Sequence, residues 1–130
     1  MPTQLSDVLA PASLSVDQRR VLERLVEGLR EEFGDDLHAI WLYGSRARGE
    51  TPRPYSDVDL MVLTEGSRWE NGGRALEVLY PIAREEGVSP VWYSFFCETP
   101  EWLRGRREIR SFFIAEVDRD KLVLYGSALE

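Results

Sequence analysis

The sequence predicts an α/β (α+β) fold in which a mixed sheet of about four strands is flanked by helices. Three observations lead there. A strand, a sharp glycine turn and a second strand fill residues 37–63, of which residues 41–63 read WLYGSRARGETPRPYSDVDLMVL. Helical apolar spacing precedes this unit and follows it. A third run, residues 88–98, is dense in β-branched and aromatic side chains.

Residues 1–14 hold Pro2 and Pro11 and show no sustained period, so they read as a loose or partner-docked lead before a domain spanning 15–130. Ser15 followed by Gln18 makes a capping-box start, and Leu22, Leu25, Val26, Leu29 and Phe33 recur at helical spacing until Gly34. Residues 37–43 are apolar on alternate and intervening positions alike, as a central strand covered on both faces requires. Gly44 ends that strand, residues 45–48 suit a short helical turn, and Pro52 and Pro54 stiffen a loop that returns into a second strand over 57–63.

Three glycines in residues 65–73 predict a loop, with Trp69 as its anchor. From Arg74, the positions Leu76, Val78, Leu79, Ile82 and Ala83 predict a second helix to Gly87, kinked or broken at Pro81. The third strand follows over 88–98. Thr99 caps the next helix with Pro100 in its first turn. One helix, or two broken near Gly105, runs to Glu116 and buries Trp102, Leu103, Ile109, Phe112 and Phe113, and residues 122–125 close the sheet.

Chemistry concentrates at the strand-turn-strand unit. Asp57 and Asp59 alternate on a strand, so they share a face with Cα atoms about 6 to 7 Å apart. At an effective dielectric of 20 two such charges repel by roughly 2 to 3 kcal/mol, which calls for a cation between them. Few hard oxygen ligands at the rim of a core, with room for water and phosphate, suit Mg²⁺. Gly44 lets backbone approach a ligand closely, and Ser45 offers a hydroxyl and nearby amides to phosphate oxygens. A metal-nucleotide site is the expectation.

Composition narrows the partners. One domain is expected from 130 residues, and 43% apolar with 30% charged residues is ordinary for a globular chain. No apolar run reaches 18 residues, and the first residues lack a basic stretch followed by an apolar one, so neither membrane insertion nor secretion is expected and a cytoplasmic location follows. A lone cysteine, Cys97, excludes an internal disulfide and reads as a buried strand residue; the lone His38 reads as structural. Net charge −7 opposes free nucleic acid as a substrate. Arginines nevertheless cluster: Arg46, Arg48 and Arg53 beside the motif, suited to a triphosphate, and Arg104, Arg106, Arg107 and Arg110 in a second group, suited to a solvated face or a docking surface.

Gly44-Ser45, eleven intervening residues and Asp57-x-Asp59, with Ser56 and Leu60 around the acids, resembles the polymerase-beta-type nucleotidyltransferase superfamily, and in so short a chain the minimal nucleotidyltransferases. The resemblance implies a polymerase-beta-like fold. It implies that Gly44 and Ser45, with charge added by Arg46, hold the outer phosphates of a nucleoside triphosphate while Asp57 and Asp59 bind Mg²⁺. It further implies transfer of AMP from ATP to a hydroxyl, with a HEPN-type toxin protein as the companion and a tyrosine as acceptor, this chain acting as antitoxin.

The pattern departs at one place. Active members generally carry a third carboxylate on the strand beside the acid pair, whereas the third strand here offers Ser89, Tyr93 and Ser94, with Glu98 alone at its far end. Slower transfer, a ligand from a partner chain, or nucleotide binding without turnover all remain open, the last describing a sensor or scaffold module. An aminoglycoside-modifying enzyme is the weaker alternative, since those usually add a helical domain to hold the drug.

Overall fold

A computed structural model describes residues 4–52 and 56–130; Pro2, Arg53 and Pro54 lie outside them. The sheet holds four strands, β1 (Leu37–Tyr43), β2 (Val58–Thr64), β3 (Tyr93–Glu98) and β4 (Leu122–Gly126), in the spatial order β3-β2-β1-β4. β1 is antiparallel to β2 and to β4, while β2 and β3 run parallel. The parallel pair needs a crossover, and α4 (Arg68–Glu86) supplies it.

Side-chain alternation splits the core into two layers. Ile40, Leu42, Leu60 and Val62 point to one face, against α2 (Val16–Phe33) and α4. Ala39, Trp41, Met61 and Leu63 point to the other, against Leu103 of α5 (Pro100–Glu108) and Ile114 and Val117 of α6 (Phe112–Asp120). Both faces being covered, β1 is buried from Ala39 to Leu42 and β2 from Leu60 to Thr64, where their apolar runs lie. α2 starts at the expected capping box, Ser15 accepting from the Gln18 amide and the Gln18 side chain from the Ser15 amide. Its five expected apolar positions are all buried. Thr99 caps α5 as predicted, accepting from the Trp102 amide at 3.0 Å.

Four expectations give way to tertiary contacts. The first concerns the lead, whose described residues are folded onto the core: α1 (Leu5–Val8) forms, and Leu9 and Ala12 are buried. Arg19 of α2 donates to the carbonyls of Leu9 at 2.7 Å and Ala12 at 2.8 Å, which a local reading of residues 1–14 has no means to foresee.

The second is α4, which begins at Arg68 inside the supposed loop and runs through Gly72, Gly73 and Pro81 without interruption. Each helical glycine costs about 1 kcal/mol relative to alanine. Against that, Asn71 is buried with its amide donating to the Glu65 carbonyl at 2.9 Å, and Arg74 bonds Glu32 and lies over the Phe33 ring at 4.4 Å. Third, β3 starts only at Tyr93, because Pro90–Trp92 form a 3-10 turn before the ladder with β2 opens at Val58 and Tyr93.

The fourth lies between α5 and α6. The break falls at residues 109–111, where Arg110 has φ 55°, and not at Gly105, which stays helical. The turn swings Ile109, Phe112 and Phe113 outward to 68%, 78% and 38% exposure, so the expected burial of these three fails; Leu103 is buried and Trp102 half-buried.

Candidate functional site

The antiparallel register of β1 and β2 sets Tyr43 opposite Asp59, so the turn leaving β1 and the acids entering β2 meet at one end of the sheet. α3 (Gly44–Ala47) follows directly. Gly44 has φ 80°, and a Cβ there would fall 2.6 Å from Asp59 Oδ2. Only glycine satisfies both demands, and the same closeness brings the backbone of the turn against the carboxylate.

Around this junction lies a cleft of about 320 Å³ lined by Tyr43, Gly44, Ser45, Arg48 and Asp59 from the sheet end, and by Phe113, Glu116, Val117 and Asp120 from α6. Asp57 is exposed just before β2, and Asp59 is half-buried. Burial, then the charge of Asp57, pushes the Asp59 carboxyl up to about 6, with Arg48 pulling the other way. The Tyr43 hydroxyl, buried beside that charge, rises to about 12.

Neither Asp57 nor Asp59 has an ion pair or hydrogen bond among the described residues, and the Ser45 hydroxyl has none either. Two carboxylates without a direct ion pair, crowded enough that one is raised despite Arg48, fit a divalent cation. No group of three acids, histidines or cysteines among the described residues closes a protein-only cage, so the donor set suits an ion that keeps water and phosphate oxygens.

Arg46 does not join this cleft. It is buried, its guanidinium donating to the Ser13 carbonyl at 2.9 Å and the Ser56 carbonyl at 3.3 Å, so it ties the N-terminal segment to the start of β2. Its expected place beside phosphate is corrected by those bonds. Arg48 lines the cleft instead, held by Glu50 at 2.5 Å and Asp120 at 3.1 Å.

Parallel pairing sets Ser94 beside Asp59, and Phe96 and Glu98 follow on the same face at alternating positions. Glu98 therefore stands four residues up the sheet, about 13 Å away, opposite Leu63. It is buried and ion-paired with Arg68. Ser94 is the β3 residue paired with Asp59, and no carboxylate on β3 stands nearer to Asp59 than Glu98. Cys97 is buried, its thiol pushed up to about 12 by desolvation, and His38 faces Glu65 at 3.2 Å, both away from the cleft. Glu116 and Asp120, one turn apart on α6, are the cleft acids that sequence reasoning missed; their spacing was the available signal.

Residues 22–106 match the nucleotidyltransferase domain family, a span that contains the turn and the acid pair. A candidate protein adenylyltransferase of Methanocaldococcus jannaschii is 47% identical over 45 residues, 35% of this chain and 30% of that protein. An aminoglycoside nucleotidyltransferase (4') of Staphylococcus aureus is 32% identical over 68 residues, 48% of this chain and 26% of that protein. The chain thus spans less than a third of the length of these relatives. Among solved structures, a toxin-antitoxin complex with AMP-PNP superposes with a TM-score of 0.50 at 21% identity, covering 82% of this chain and 73% of that one, a likeness of fold.

Proposed function

This chain belongs to the nucleotidyltransferase domain family, and we propose that it transfers AMP from ATP to a hydroxyl on a partner protein, releasing pyrophosphate. The observation that carries the reading is Asp59, which lies against the Gly44 turn without a direct ion pair among the described residues and is crowded by the charge of Asp57 two residues before it. In this reading both aspartates hold Mg²⁺, while the Gly44 backbone and the Ser45 hydroxyl take the outer phosphates and Arg48 adds charge at the cleft wall. Magnesium, when bound, neutralises the triphosphate and the developing charge on the leaving pyrophosphate.

The chemistry asks little else of the protein. The acceptor oxygen forms a bond to the α-phosphorus, the bond from that phosphorus to the bridging oxygen breaks, pyrophosphate leaves with the electron pair, and the hydroxyl proton passes to solvent. Positioning supplies most of the acceleration in such reactions. A protein acceptor is supported by the adenylyltransferase relative, and a toxin companion of the HEPN type, with a tyrosine as acceptor, by the motif resemblance.

A second reading has its own support. Ser94 beside Asp59 leaves the nucleophile's side of the site one carboxylate short, which favours a module that binds nucleotide without turnover. One experiment separates the two. The chain and the product of its neighbouring reading frame are incubated with ATP labelled at the α-phosphate and Mg²⁺, and binding of a non-hydrolysable ATP analogue is measured in parallel. Label on the neighbour supports transfer, and binding without label supports the module. Label that survives Asp57→Asn with Asp59→Asn overturns the site.

A further inference from the structure

We infer that the turn joining α5 to α6 is the surface on which the acceptor docks, and that it takes an acidic peptide segment bearing an apolar side chain. The starting point is the failed burial: helical spacing assigns Ile109, Phe112 and Phe113 to a core, yet the fold turns them to solvent at 68%, 78% and 38% exposure. Apolar area left in water forgoes about 25 cal/mol per Å², and among the described residues Ile109 and Phe112 stay largely exposed.

The patch is continuous with the cleft. Phe113 lines the cleft with Asp59 and packs edge-on against Tyr43 at 5.7 Å. Its ring also meets Phe96 at 5.5 Å, Phe96 meets Trp102 at 5.3 Å, and the Arg106 guanidinium lies over Trp102 at 5.3 Å. A chain of ring contacts between partly buried aromatics therefore runs from the cleft holding Asp59 to Arg106.

Charge selects the occupant. The chain carries −7 overall, so an acidic partner is repelled almost everywhere. Arg106 and Arg110 are exposed at this turn without an acidic partner among the described residues, whereas Arg107 is turned aside into Asp118. Trp102, Arg106 and Ile109 share one face at i, i+4, i+7 spacing, and Glu101 and Glu108 fall off it. Nucleic acid asks for a longer track of cations than the few exposed arginines at this turn supply.

The inference rests on the proposed transfer for the acceptor's hydroxyl, and on the surface alone for its docking. A fluorescein-labelled random copolymer of glutamate and tyrosine is the probe, its binding to the full chain read by anisotropy. Arg106→Glu with Arg110→Glu should weaken binding by about tenfold or more, and Ile109→Ser with Phe112→Ser by roughly fivefold, as exposed contact residues do. Both variants should still bind the ATP analogue as the parent chain does, which also reports that they fold. Absence of copolymer binding, or equal binding by the variants, overturns the docking surface. Tighter binding of a single-stranded RNA that the same variants lose assigns the surface to nucleic acid and overturns it too. Copolymer bound by the parent and lost by the variants, but never labelled from ATP, supports the surface and counts against transfer.

Discussion

At the scale of single residues, the site depends on Gly44 and Asp59 occupying the same small space. Alanine at Gly44 faces a left-handed φ of 80° and a Cβ 2.6 Å from Asp59 Oδ2, so Gly44→Ala should cost about 1 to 3 kcal/mol and displace the carboxylate. Chemical denaturation reads the first effect, and calorimetric titration with Mg²⁺ and the ATP analogue the second. Asp59 carries the opposite sign. Its carboxyl sits at about 6 in the fold against an ordinary 3.8, so the fold favours its neutral form. As pH rises from 3.8 the unfolded chain sheds the proton first, and by pH above 6 the metal-free fold bears the whole penalty. Asp59→Asn removes it. The variant should match the parent near pH 4 and exceed it by about 1 kcal/mol at pH 8, solvent screening of a half-buried group keeping the gain small. Melting curves at the two pH values, without metal, check this, and a gap that fails to open refutes the crowding.

At the scale of elements, what the sequence disclosed is what local rules govern. β1 was legible because the apolar run from Ala39 to Tyr43, closed by Gly44, admits little else, and α2 because its cap and stripe agree. The acid pair and its turn were legible for the same reason, being contiguous chemistry on contiguous strands. The start of α4 is not legible because Gly72 and Gly73 speak locally for a loop, while the Arg74 bonds to Glu32 that support the helix come from residues 42 positions away. Arg46 was misread likewise: beside Ser45 it looks like a phosphate ligand, yet residue 13 claims it. Arg46→Ala should therefore behave as a loss of a structural tie. We expect about 2 to 4 kcal/mol of destabilisation, leaving buried carbonyls at Ser13 and Ser56 short of a donor, with faster proteolysis around residues 9–14. Nucleotide affinity per folded molecule should change little. Pro81, exposed inside α4 and unable to donate to the Glu77 carbonyl, predicts the reverse: Pro81→Ala should stabilise by about 1 kcal/mol or more, seen as a higher melting temperature.

At the scale of the whole molecule, the neighbour of Asp59 is decided by a crossover of some thirty residues, since only the right parallel register brings Ser94 beside it. No local pattern around residue 94 announces that pairing, because it is set by the crossover and not by neighbouring residues. The register turns the pairing into a test. Ser94 and Asp59 share a face, and a carboxylate at 94 would add a further negative charge at the end of the sheet where Asp57 already raises Asp59 and no described cation forms a direct ion pair with either. Without metal, Ser94→Asp should lower stability by about 1 kcal/mol through like-charge repulsion across adjacent strands. With Mg²⁺ the sign should reverse, because the same charge becomes a ligand, and Mg²⁺ affinity should rise about tenfold, equivalent to roughly 1.4 kcal/mol. Melting temperature measured against Mg²⁺ concentration distinguishes the two regimes in one titration. If Ser94→Asp also raises the rate of label transfer, the parent chain is an enzyme working one ligand short. If it gains metal affinity and still transfers nothing, the acceptor side of the site limits it, and the exposed turn between α5 and α6 becomes the place to look.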